Sequence, residues 1–185
     1  ESELYVSLEP CAHFGKTPPC SDLIIRNRIP KVVVGSKDPF PEVNGKGIEK
    51  MKNAGIEVVT GVLEAECMDM NKRFYSFQEQ HRPYIILKWA QTRDHAIALP
   101  DGSAVAISNE YTNRLVHRWR SEEAAILIGT RTALLDNPSL TTRLWPGNSP
   151  IRLLLDLELK LSPALHVFDN KTPTVIFNLH RHEAG

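Results

Sequence analysis

The chain has 185 residues, 42% hydrophobic and 24% charged, values that exclude a disordered, collagenous or coiled-coil protein and allow one large domain or two small ones. Its 22 Lys and Arg balance 22 Asp and Glu, so no basic field is available to grip a nucleic-acid backbone, and no apolar run is long enough for a membrane helix. Three cysteines, an odd number in a chain of this size, point to reduced thiols acting as ligands or core filler in the cytoplasm rather than to disulfides.

Residues 4–8, with Tyr5 and Val6, read as a strand, and residues 31–36, with Val32, Val33 and Val34, as a strand buried on both faces. Between them a loop with Gly15, Pro18 and Pro19 leads into a short helix over 21–29, for which Ser21 or Asp22 is the cap. A helix over 44–54 stops at Gly55, a third strand covers 56–62, and a long helix covers 63–80. Leu63, Cys67, Met70, Phe74 and Phe77 form one apolar stripe along that helix, which places Cys67 in the core. Alternation of this kind builds a parallel sheet. After His81-Arg82-Pro83 the pattern restarts with a strand over 84–90, then a polar loop through Asp94 and Pro100-Asp101-Gly102. A helix over 109–120 follows, capped by Ser108, with Tyr111, Leu115 and Trp119 on its apolar face. A strand over 124–128, a loop rich in Thr, Asn and Pro, and strands over 151–156 and 174–179 complete the pattern. The expected division is two modules, 1–80 and 83–185. An apolar strand begins almost at Glu1, which is not Met, so the chain is expected to start partway through a domain.

The stretch most informative about chemistry is Glu9-Pro10-Cys11-Ala12-His13-Phe14-Gly15-Lys16-Thr17-Pro18-Pro19-Cys20. Cys11 leaves the end of a strand, where α/β sheets keep their sites, and Cys20 opens a helix, whose positive end favours a thiolate. Two thiolates converging there can hold zinc. The alternative is buried filler, against which stand the prolines on both sides and the polar, glycine-containing loop between.

With Leu4-Tyr5-Val6-Ser7-Leu8 ahead of it, this stretch resembles the zinc-dependent deaminase module of the bifunctional riboflavin-biosynthesis deaminase/reductase family. Zinc deaminases in general pair an H-x-E motif with P-C-x-x-C. Only the P-C half is present here, with a longer spacer. The resemblance implies that Cys11 and Cys20 are zinc ligands, that His13, Lys16 and Asp38 contact a pyrimidine bearing a phosphoribosyl group, and that the catalytic His and Glu precede Glu1. Phe40 stands where the family usually has Asn. Two other readings of this module stay open: a closed structural zinc on Cys11, His13 and Cys20 with a binding role, and a nucleoside-deaminase relative. Gly45-Lys46-Gly47 lacks the third glycine of a dinucleotide fingerprint and is expected to shape a turn.

The later half carries no Walker loop and no G-x-G-x-x-G. Its Lys88-Trp89-Ala90, Arg120, and the run from Gly129-Thr130-Arg131-Thr132 through Asp136-Asn137-Pro138-Ser139-Leu140-Thr141-Thr142-Arg143 are similar to the reductase module of the same family. That resemblance implies a dihydrofolate-reductase-like fold that uses NADPH to reduce an open-chain ribose to ribitol. By position, Lys88, Arg120, Leu140 and Arg143 would face the substrate, and Ala90, Thr132 and Asp136 the cofactor. The family's Asp-Gly turn is Asp94-His95 here, and Ala104 and Ala106 stand where relatives carry a Ser and a Trp. The whole then reads as an α/β protein, a cytidine-deaminase-like three-layer module followed by a dihydrofolate-reductase-like α/β module, both incomplete. The implied functions are zinc-dependent hydrolytic deamination of a diaminopyrimidine phosphoribose and NADPH-dependent reduction of its sugar, with little activity expected from this polypeptide alone. A reductase-only relative is the further alternative. A small-molecule substrate and homo-oligomers are expected, with neither nucleic acid nor membrane as partner.

Overall fold

The computed structural model describes residues 2–99, 103 and 106–181. The chain divides into two compact units, Glu1–Leu87 and Lys88–Gly185.

In the first unit β1 (Glu3–Leu8), α1 (Cys20–Arg26), β2 (Lys31–Ser36), α2 (Lys46–Asn53) and β3 (Glu57–Thr60) alternate, followed by α3 (Glu64–Met70) and α4 (Lys72–Gln80). The sheet has the order β1-β2-β3 and is parallel throughout, Tyr5 lying opposite Val33 and Val33 opposite Val59. Central β2 carries the β-branched run, and Val32, Val33 and Val34 are all buried, as a strand covered on both faces requires. Val32 and Val34 meet Ile24 of α1, Met51 of α2 and Ile56 in the core. The long helix expected over 63–80 is broken at Asn71, whose side chain donates both to the Cys67 carbonyl (2.9 Å) and to the Ser7 hydroxyl (3.4 Å). The break rotates the stripe off the core: Leu63, Met70 and Phe77 are exposed, and Tyr75 and Ser76 are buried instead. Cys67 is half-buried against β2, where a Cβ on Gly35 would meet its sulfur at 2.2 Å. The expected helix cap also shifts, since α1 starts at Cys20 with Pro19 ahead of it.

In the second unit α5 (Glu110–Glu122), β4 (Ala125–Gly129), α6 (Thr130–Asp136), β5 (Ile151–Leu155), a 3-10 turn (His166–Phe168) and β6 (Thr174–Phe177) follow in order. The sheet β4-β5-β6 is again parallel, with Leu127 opposite Leu153 and Leu153 opposite Val175. Pleating puts even-numbered residues on one face: Ile126, Ile128, Leu154 and Ile176 pack with Leu140 and Val167. Asn109, not Ser108, caps α5, its side-chain oxygen accepting from the Thr112 N–H at 2.9 Å. Three expectations fail here. Residues 84–90 form no strand, because no described strand pairs with them. The first half of the expected loop after β4 is helical, as α6. The stripe Tyr111, Leu115 and Trp119 is exposed, and the buried residue of α5 is His117.

In the Asp94-His95 turn, which has no glycine, His95 adopts a left-handed backbone (φ 67°) and the Thr92 N–H donates to the Ala96 carbonyl at 2.8 Å. Ala106 is described but Ala104 and Pro100-Asp101-Gly102 lie outside the described residues.

Candidate functional sites in the two units

Glu9 follows β1 directly and is buried, 3% exposed. One carboxylate oxygen accepts from the Gly47 and Ile48 N–H groups (3.0 and 3.2 Å), the other from Gly45 and Asp38 (2.9 and 3.3 Å). Four main-chain donors satisfy the buried charge, as its desolvation demands. They also fix the loop after β2 and the start of α2 against the turn at Pro10. This explains the Gly45-Lys46-Gly47 turn. Gly45 takes φ 86°, and a Cβ on Gly47 would lie 1.9 Å from the Pro10 carbonyl oxygen.

Beyond Glu9 the chain turns so that the Cys20 N–H donates to the Cys11 sulfur at 3.3 Å. The two sulfurs face one another. Both line a cavity of about 470 Å3 with Glu9, Asp38, Leu4, Ile24 and Phe74, at the carboxyl end of the sheet. The Cys20 thiol is pushed up from its ordinary range, first by its hydrogen bond with Cys11, then by burial and by the Cys11 charge. The neighbouring sulfur thus opposes the helix end, which favours a thiolate. Asp38 is buried and its carboxyl is raised, by burial first; the Phe40 N–H opposes this, Glu9 adds to it, and His13 opposes it. The His13 ring meets the Phe40 ring edge-on at 5.9 Å, and its Nδ1 is buried without a partner among the described residues. Lys16 is exposed on the loop.

The structure thus brings Cys11, Cys20 and Asp38 to one cavity. Catalytic zinc needs three protein ligands. Among the described residues no group of three His, Cys, Asp or Glu side chains is placed to hold a metal. Cys11 and Cys20 would supply two of the donors that such a zinc takes.

In the second unit the charged cluster is built by α5 and the loop after α6. Arg120 donates from Nη1 to the Thr141 carbonyl at 3.1 Å, and its Nε is buried with no partner among the described residues. Arg143 donates from Nη1 to the Thr141 hydroxyl at 2.8 Å, and its backbone N–H to His117 Nδ1 at 2.9 Å. Burial, and then the Arg143 charge, hold the Arg120 guanidinium below its ordinary value. Two guanidinium groups near one another, with one N–H unpaired among the described residues, have the chemistry to bind an anion. The loop that carries Arg143 is anchored from below by Arg152, which is wholly buried on β5. Its Nε donates to the Ser139 carbonyl (2.9 Å), and its Nη1 to the Val167 carbonyl (2.9 Å) and Asp169 (2.8 Å).

Leu140 is buried in the core at φ 55°, so it meets a ligand only through its main chain. Thr132 and Asp136 stand four residues apart on the exposed side of α6. Lys88 is exposed and Ala90 half-buried on the unpaired segment, and no contact ties Lys88 to the arginine cluster among the described residues. Sequence reasoning gave no role to Glu9, His117 or Arg152. The available signals were an acidic residue at a strand end before proline, a histidine three positions before an arginine on one helix, and a charge inside an apolar strand.

A parallel sheet in each unit, with Arg120 and Arg143 close to one another in the second, defines an α/β protein of two units. The family model of the RibD C-terminal domain matches residues 83–184, and the chain belongs to that family. It is 44% identical over 182 residues to riboflavin biosynthesis protein RibD of Aquifex aeolicus, covering 97% of this chain and 51% of that protein. Against RibD of Actinobacillus pleuropneumoniae it is 42% identical over 156 residues, 84% of this chain and 42% of that one. The chain spans about half the length of the curated relatives it matches. Among solved structures, the diaminohydroxyphosphoribosylaminopyrimidine deaminase/5-amino-6-(5-phosphoribosylamino)uracil reductase of Thermotoga maritima superimposes with a TM-score of 0.87 at 42% identity, covering 94% of this chain and 50% of that one. RibD of Acinetobacter baumannii gives 0.86 at 33% identity, covering 96% and 51%. No helix among the described residues is long and apolar enough to cross a membrane.

Proposed function

We propose that the chain serves riboflavin biosynthesis, and that its second unit is reductase machinery acting on a phosphoribosylaminopyrimidine. The observation that supports this reading is the Arg120–Arg143 pair, with the buried Arg120 Nε unpartnered among the described residues and the two cations close enough for Arg143 to lower Arg120. Arg120 and Arg143 bind the phosphate by charge-assisted hydrogen bonds, and by the family resemblance alone Lys88 faces the same substrate. Ala90, Thr132 and Asp136 would lie by NADPH, which when bound would supply the hydride for reduction of the ribosyl group to ribityl, the protein supplying position. The first unit reads as part of the cytidine-deaminase-like half of a bifunctional enzyme, with residues 1–80 and 83–185 as its two modules. Cys11 and Cys20 would be two of the donors to that half's zinc, which would supply the chemistry of hydrolytic deamination. Three free cysteines agree with a reducing cytoplasmic setting, and homo-oligomers follow from the same resemblance.

Titration of the 185-residue chain with ribose 5-phosphate tests the reading. Arg143→Met and Arg120→Met each lose roughly 10-fold or more in affinity, the worth of a hydrogen bond to a charged group. Unchanged affinity in both variants overturns it.

A further inference from the structure

We infer that His117, as a neutral imidazole, is the positioning residue that docks the Arg143 loop onto α5 and thereby assembles the anion site. The inference rests on the proposed reading of that site as the phosphate-binding part of the second unit. His117 is the buried side chain of α5, 5% exposed, and its Nδ1 accepts the Arg143 backbone N–H at 2.9 Å. One turn further along the helix, Arg120 grips the carbonyl of Thr141, two residues before Arg143 (3.1 Å). Within the loop the Thr142 N–H donates to the Ser149 hydroxyl at 3.0 Å. Two residues of one helix thus hold Thr141 and Arg143, with Ser149 holding Thr142 between them, and among the described residues only the His117 contact fixes the main chain at Arg143 itself.

An accepting Nδ1 requires the ring proton on Nε2 and an uncharged ring. Protonation turns Nδ1 into a donor facing a donor. The charges acting on the ring are Arg120 on its own helix and Arg143 on the facing loop, both cations. Burial first, then these two charges, lower the histidine below its ordinary value, so the docked loop keeps its hydrogen bond at neutral pH. A histidine depressed in the folded state stabilises it fully above the unfolded value of about 6.5 and loses that contribution as the pH falls through the folded value. The anion site therefore loosens in acid. A histidine acting only as a nearby charge does the opposite, because a third cation tightens anion binding.

The test compares the 185-residue chain with His117→Asn, whose Oδ1 lies close to the position of Nδ1, accepts the same N–H and does not titrate. Ribose 5-phosphate affinity is measured from about pH 8 to 5, where histidine changes charge. The ratio of the two affinities cancels the titration of the phosphate. Wild-type affinity relative to the variant falls roughly 2- to 10-fold toward acid, the worth of one hydrogen bond. A flat or rising ratio overturns the inference. Without ligand, the Arg143 amide resonance of the wild type shifts with the same midpoint as the His117 ring, and in the variant that midpoint is gone. If the Arg143 amide does not follow the ring, the docking role falls whatever the ligand does. If it follows the ring and ribose 5-phosphate binds at no pH, the proposed substrate class fails, and with it the claim that the docked loop serves a phosphate.

Discussion

Glu9 shows how one side chain can organise a site without entering its chemistry. Its two oxygens hold the main chain at Asp38, Gly45, Gly47 and Ile48, so the wall opposite Cys11 depends on a single buried charge. In Glu9→Gln an amide NH2 replaces one of the accepting oxygens and faces donors, leaving at least one buried N–H without an acceptor. The expected cost is about 2–4 kcal/mol, read as a lower urea midpoint for the first unit at unchanged slope. Glu9→Asp, too short to reach both loops, recovers only part of it. Cys11 and Cys20 were legible because one lies just past a strand and the other opens a helix, whereas Asp38 was legible only through the family resemblance. Glu9 was not, because the four groups it binds are backbone amides, which carry no residue identity. His117 was hidden for the related reason that its partner is the N–H of Arg143 rather than a side chain.

Among the elements, the alternation of strands and helices was readable wherever a β-branched run met turn residues, as in β1, β2, β4, β5 and β6. It failed where the pattern was consistent with more than one outcome. Apolar residues at helical spacing occur throughout 63–77, yet Asn71 hydrogen-bonds back to Cys67 and across to Ser7, which divides the segment into α3 and α4. Thr and Asn after β4 suggested a loop, but the apolar Ala133 sits wholly buried and anchors α6. Residues 84–90 have strand composition and no described partner, and composition alone makes no ladder. The cap of α5 gives a direct check at this scale. Asn109→Ala removes the acceptor for the Thr112 N–H and is expected to lower stability by about 1 kcal/mol, with loss of helix signal confined to the first turn of α5. A variant as stable as the parent would show that tertiary contacts, not the cap, hold that end.

For the molecule as a whole, each sheet encloses its own apolar cluster, Val32, Val34 and Met51 in one unit and Leu140, Leu154 and Val167 in the other. Separate cores unfold separately unless something couples them. Scanning calorimetry is expected to resolve two transitions. Glu9→Gln lowers one and Asn109→Ala the other, and a single transition displaced by both variants would refute separate cores. The remaining feature of this scale is the odd-numbered side of the second sheet. There Leu127, Ile151, Leu155, Val175 and Phe177 are all more than 40% exposed, although parallel sheets ordinarily carry cover on both sides. Water in contact with that wall is poorly bound, and any greasy probe, a fluorescent dye or a detergent monomer, has a flat landing ground several side chains wide. Handling of the purified chain will therefore be governed less by its balanced charge than by how much surfactant or salt is in the tube.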